Sequence, residues 1–152
     1  MLRYLLNKER FSWALYDWAN SAFWTTVVAG FFPIFFKSYW ASELDGPSSS
    51  AVLGSTNSIA GFCIVLMAPI LGTIADKAGA KKNFLVFFAL LGIIATGSFF
   101  FIPSGYWIVA SILFGISLLG ASGSNIFYDS LIVDVSDENN RNIVSGLSLI
   151  HI

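Results

Sequence analysis

The sequence predicts an all-α fold, a polytopic helical membrane protein, and three observations carry that prediction. Hydrophobic residues make up 56% of its 152 residues, charged residues only 11%, and mean hydropathy is +0.74. A water-soluble domain carries about 25% charged residues, because its surface must face solvent. Charge is also missing over long runs: Gly46 to Ala75 is 30 residues without Lys, Arg, Asp or Glu, and Asn83 to Tyr128 is 46. Between Phe11 and Phe36 the only charge is Asp17. A soluble helix or sheet needs a polar face, which none of these stretches provides.

Crossing a hydrocarbon core takes roughly 20 apolar residues as helix, and four stretches supply them. The first span covers about 11–36. It is about twice as long as a secretory signal core, holds Asp17, and has no small-x-small cleavage site after it. It is therefore expected to stay in the membrane. The second covers about 51–75 and carries the lone cysteine, Cys63, which allows no intramolecular disulfide and is assigned a packing role. The third, 83–102, stops at Pro103-Ser104-Gly105, and the fourth covers 106–133. A fifth apolar start, 142–152, is only a few turns long. The chain is expected to be the beginning of a larger membrane domain.

Short cytoplasmic loops collect Lys and Arg. Arg3, Lys8 and Arg10 precede the first span, Lys77, Lys81 and Lys82 follow the second, and Arg141 follows the fourth. The other side has Lys37 beside Glu43 and Asp45. The amino terminus is thus expected in the cytoplasm. Tyr4, Trp13, Tyr16 and Trp18 suit the inner interface, and Tyr39, Trp40, Tyr106 and Trp107 the outer one. The expected surroundings are the lipid bilayer, with no nucleic acid. No metal-ligand cluster, phosphate-binding loop or nucleophile constellation is visible, so neither a cofactor nor an enzyme activity is expected. The single histidine, His151, supports no argument.

Helices in lipid associate through small residues that admit close approach. The fourth span has Ser111-x3-Gly115, Ser117-x3-Ala121 and Gly120-x3-Ser124. It is expected to be central in the bundle, touching neighbours on more than one face. The tight loop after the second span reads Gly72-Thr-Ile-Ala-Asp76-Lys77-Ala-Gly79-Ala-Lys81-Lys82. It folds the second and third spans into an antiparallel hairpin. Gly79 suits a turn with positive φ, and Asp76 can cap the next helix or pair with a base. Positive-inside charge explains the lysines but not the order of the motif.

That loop resembles the motif between helices two and three of major facilitator superfamily transporters, Gly-x-x-x-Asp-(Arg/Lys)-x-Gly-x-(Arg/Lys)-(Arg/Lys). The stretch from Ser12 to Phe23, SWALYDWANSAF, is similar to one branch, the vacuolar amino-acid effluxer-like family related to the autophagy effluxer of fungi. So is Phe127-Tyr-Asp-Ser-Leu-Ile-Val-Asp134 followed by Arg141-Asn-Ile-Val-Ser-Gly146. The resemblance covers nearly the whole chain. It implies a fold of two six-helix halves, each of 3+3 inverted repeats, of which this chain holds four helices and the start of a fifth. It also implies a plasma (inner) membrane location in a prokaryote or a vacuolar membrane location in a fungus.

In the superfamily the two–three loop latches the cytoplasmic side of the outward-open state. Carried over, the role falls on Gly72, Asp76, Lys77, Gly79, Lys81 and Lys82, facing Asp134, Asp137, Glu138 and Arg141. The lysines and Ala80 depart from the arginine-rich pattern, so bidentate contacts are not available there. The fourth span also lacks the intramembrane arginine of many proton-coupled members, which puts proton coupling by that device in doubt.

Polar residues at membrane depth are functional candidates because burying them in lipid is costly. Asp17, Ser21 and Thr25 share a face of the first span with Asn20 and Trp24 beside them, and Asn125 and Asp129 share a face of the fourth. At about 1.5 Å per residue, Asp17 lies about 9 Å and Asp129 about 6 Å inside the cytoplasmic ends of their spans. Close carboxylates cannot both ionise cheaply, so the pair is a candidate gate or proton carrier. The plainer account gives each an interfacial hydrogen bond. Asn20 and Trp24 are nearer the midplane and are candidate substrate contacts, with packing as the alternative for Trp24.

Two function classes follow. The first is secondary transport of small solutes, amino acids in particular and with proton coupling as an option, by alternating access in the complete protein. On that reading these residues alone are inactive, and the missing remainder is a required partner. The second is a small four-span packing or assembly protein without transport.

Overall fold

The computed structural model describes residues 8–136, and four long helices make up most of them. Helix α1 covers 8–40, α2 is Gly46–Ala78, α3 is Lys81–Gly97 continued by a 3₁₀ turn Ser98–Phe101, and α4 is Trp107–Val135. All four are long and apolar enough to cross a membrane. Arg3, Tyr4, Asp137, Glu138, Arg141 and the expected fifth helix start at 142–152 lie outside the described residues.

The loop between α1 and α2 is shorter than the sequence suggests. Ser48, Ser49 and Ser50 read as loop residues, yet they form the first turn of α2. Asp45 starts it: its Oδ2 accepts the Ser48 N–H at 3.3 Å and its carbonyl accepts the Ser49 N–H at 3.0 Å. These bonds satisfy donors that a helix start leaves open. The Ser48 hydroxyl and N–H together hold the Asp45 carboxyl below the usual carboxylate range. Pro47 fits the first turn, where no N–H is needed.

Helix α1 is continuous but not uniform. It is α-helical over Lys8–Ala22, π-helical over Phe23–Phe31, α-helical over Phe32–Phe35 and π-helical again over Phe36–Trp40. The dihedrals at Ala22, Phe31 and Phe35 are all right-handed α, so no junction is a break. The Phe32 N–H bonds the Val27 carbonyl and the Ala41 N–H bonds that of Phe36, both five residues back. A proline ring clashes with the carbonyl four residues earlier. The wider turns ahead of Pro33 give its ring that room.

Helix α4 is the centre of the bundle. Ala110, Phe114, Ser117, Leu118, Ala121, Ser124, Phe127 and Tyr128 along it are all buried. Both α2 and α3 pack more extensively on α4 than on each other. The hairpin between α2 and α3 is therefore tight at its turn and held apart beyond it. The closest approach is a glycine crossing, where a Cβ added at Gly120 would lie 2.4 Å from the Gly92 backbone nitrogen. Ser117 and Ser124 turn their hydroxyls back to carbonyls of their own helix, at 2.8 Å each.

One end of the bundle is closed by aromatic packing. Phe32, Phe36 and Trp40 of α1 meet Phe99 and Phe114 in a single buried cluster. The Phe32 and Phe114 rings stack at 3.7 Å and 6°. Trp40 Nε1 donates to the Ile102 carbonyl at 3.2 Å, and the Gly105 N–H and Ser104 Oγ both donate to the Tyr39 carbonyl, at 3.3 and 2.9 Å. Trp40, expected at the outer interface, is 1% exposed, and Trp13, expected at the inner one, is 7% exposed. A backbone carbonyl distant in sequence, that of Tyr128 for Trp13 and that of Ile102 for Trp40, draws each ring inward. Trp18, Tyr39 and Tyr106 remain on the surface.

Candidate functional site

Toward the other end α1 parts from α3 and leaves a cleft of about 350 Å³. Tyr16, Ala19, Asn20 and Phe23 line it from α1, Thr96 and Gly92 from α3, and Ala121 and Ser124 from α4. Its walls are mostly apolar, with a few hydroxyls and one amide, a pattern that ligand pockets share.

At the margin of this cleft Asn20 Nδ2 donates to Asn125 Oδ1 at 2.7 Å. Both side chains are half-buried. The sequence places the two asparagines on separate helices with different neighbours, and the fold brings them together. An interhelical amide bond at membrane depth satisfies groups that lipid cannot. Each amide has two donor hydrogens and an acceptor oxygen, and the bond uses only part of that capacity.

One helical turn toward the chain start, three aromatic rings form a stack. Tyr128 of α4 is stacked by Trp13 at 4.6 Å and 11° and by Tyr16 at 5.1 Å and 28°. Trp13 Nε1 also donates to the Tyr128 carbonyl at 3.3 Å. The stack joins α1 to α4, while the Tyr16 phenol lies beside Ser124 on the cleft side. Asp17 and Asp129 flank it. They are within electrostatic reach of each other, Asp17 half-buried and Asp129 exposed.

Of the two readings the sequence leaves for Trp24, substrate contact and packing, its position matches packing. It packs against the aromatic cluster at the closed end, edge-on to Phe23 at 5.6 Å, and does not line the cleft. Sequence reasoning passed over Tyr16, Thr96, Ser124 and Gly92 as lining residues. The i, i+4 spacing of Tyr16 with Asn20 was the available signal.

The turn between α2 and α3 lies at the far end from the aromatic cluster. Gly79 has φ +61°, a conformation that costs other residues energy. Asp76 falls in the last turn of α2 and pairs with Lys81, Nζ to Oδ1 at 3.4 Å. It does not cap α3, whose N-cap Ala80 makes no side-chain bond. An acid in the last turn of a helix opposes the helix dipole, and the lysine offsets that. Asp76 is 66% exposed, Lys82 is exposed and Gly72 is half-buried. Lys77 lies in the same last turn by its backbone.

A family model described as vacuole effluxer Atg22 like matches residues 46–142. The match includes the α2–α3 turn and the Phe127–Asp134 stretch. The chain is also 45% identical over 140 residues to a protein of Bacillus subtilis (strain 168) described as the uncharacterized MFS-type transporter YxiO. That similarity takes in 91% of this chain and 33% of the relative, so the chain spans about a third of the relative's length. No solved structure matches.

Proposed function

This chain belongs to the vacuole effluxer Atg22-like family, and from that premise we propose that it supplies the substrate-facing helices of a secondary transporter for small solutes. The favoured substrates are amino acids, and the mechanism is alternating access in the complete protein. The family points to transport rather than catalysis. The observation that carries the reading is the Asn20–Asn125 amide pair at the edge of the cleft. Its remaining donors suit a carboxylate and its remaining acceptor an ammonium group, while the apolar walls suit an uncharged side chain. Trp24 acts through packing, holding the outer half of α1.

Asp17 and Asp129 are the proposed proton-carrying pair, since neighbouring carboxyls share protons readily. Gly72, Asp76, Lys77, Gly79, Lys81 and Lys82 form the proposed cytoplasmic latch. Asp76 is exposed enough to exchange its Lys81 partner for one on another helix. The amino terminus is assigned to the cytoplasm, and the bacterial relative favours the plasma membrane.

The test is flux of labelled amino acids by the complete protein in proteoliposomes with an imposed pH gradient. Asn20→Ala and Asn125→Ala should each lower the initial rate by roughly tenfold, the size expected when a hydrogen bond to a charged group is lost. Asp17→Asn and Asp129→Asn should flatten the pH dependence. Absence of flux for every amino acid, or full rates in both asparagine variants, would overturn the reading.

A further inference from the structure

We propose that the π-helical segment Phe23–Phe31 is a register switch that decides which face of α1 meets Asn125. The inference deepens the transport reading, although helix rotation can be measured without any flux.

The two halves of α1 are held very differently. Beyond the segment, Phe32 and Phe36 are fully buried, Trp40 nearly so, and three hydrogen bonds tie Tyr39 and Trp40 to residues 102–105. Before it, the helix borders the cleft on its α3 side and is held on its α4 side by the Asn20–Asn125 bond and the Trp13–Tyr128 contact. Within the segment no residue is fully buried; Trp24, Val27 and Val28 pack half-buried against the aromatic cluster, so its winding is held more loosely than that of the anchored turns after it. A Cβ added at Gly30 would lie 3.3 Å from the Thr25 carbonyl oxygen, five residues back, a closeness that belongs to the wide turn.

π turns are uncommon and are favoured at functional sites. Rewinding one π turn to α would rotate everything before it by roughly 100° and shift it about 1.5 Å along the axis. With the outer half anchored, the inner half must turn. Ala19 or Ser21 would then take the place of Asn20 opposite Asn125, breaking the amide bond and relining the cleft. The wide register therefore keeps the polar pair made, and the narrow one releases it.

Pulsed electron paramagnetic resonance on the complete protein in nanodiscs tests this. In a Cys63→Ser background, one spin-label pair at Ser12→Cys and Asn83→Cys reports the inner ends of α1 and α3. A second pair at Ser38→Cys and Tyr106→Cys reports the closed end. The inner pair should show two distances several ångströms apart, and the outer pair one. Gly30→Ala crowds the wide turn and favours α-helix, so it should change the ratio of the two inner distances by about fivefold. Deleting Thr26, an exposed residue of the segment, should leave a single inner distance. The proposal fails if the inner pair gives one distance that neither variant alters, or if both pairs shift together as a rigid helix.

Discussion

Replacing Gly120 by alanine puts a methyl carbon 2.4 Å from the Gly92 nitrogen, 2.6 Å from its Cα and 2.8 Å from the Phe88 carbonyl oxygen. All three are backbone atoms of α3, so no side chain can swing aside. Restoring ordinary contact requires α3 and α4 to separate by about 1 Å, and a radial gap of that size forfeits up to half of each attraction across the seam. Overpacking in a core costs about 1–3 kcal/mol, and a backbone clash belongs at the upper end. We expect Gly120→Ala to lose about 3 kcal/mol, more than a hundredfold in the folding equilibrium. Gly123→Ala meets the Phe88 ring at 2.5 Å, where a side chain can yield in part, so its loss should be smaller. Gly115→Ala meets only Thr56 Cγ2 at 3.6 Å and should change stability by less than about 1 kcal/mol, with helix propensity in its favour. The assay is reversible unfolding of the complete protein in mixed micelles or bicelles. Equal stability of Gly120→Ala and wild type, or a larger loss at Gly115, would refute the close α3–α4 crossing.

Three further outcomes follow from the same geometry. Asn20→Leu and Asn125→Leu should each cost about 0.6–1.7 kcal/mol, with the double variant less destabilised than the sum, as a double-mutant cycle would read. Gly79→Ala should cost about 1–2 kcal/mol because its φ is +61°, whereas Asp76→Asn should change stability by about 0.5 kcal/mol or less, the pair being exposed. The lowered Asp45 carboxyl contributes stability that is complete above the ordinary aspartate range and fades as pH falls through the depressed value. The protection of the Ser48 amide, its exchange rate relative to the intrinsic rate at the same pH, should therefore fall in acid, and Asp45→Ala should lower it already at neutral pH.

The positions of the four helices were legible because uncharged runs and the Pro103-Ser104-Gly105 break are local features of the sequence. The positive φ of Gly79 and the central place of α4 were legible too, the first from a turn that only glycine suits, the second from regularly spaced small residues. What escaped depends on partners distant in sequence. Gly92 looks like any glycine in an apolar run, and only the crossing with Gly120 gives it a purpose. Trp13 and Trp40 carry the composition of interfacial residues, and carbonyls 115 and 62 residues away draw them inward. The pairing of Asn20 with Asn125 needed the relative rotation of α1 and α4. The π turns were hidden because an apolar helix in lipid has little polar periodicity to reveal its winding.

The central claim is that the cleft beside Asn20 receives the substrate, and protection from alkylation tests it most directly. In a Cys63→Ser background of the complete protein, Ala19→Cys places a thiol in the lining and Ile34→Cys places one on the exposed face of α1. Saturating amino acid should slow modification by a membrane-permeant maleimide severalfold at position 19 and leave position 34 unchanged. Equal rates at position 19 with and without an amino acid that the protein demonstrably transports would contradict the account.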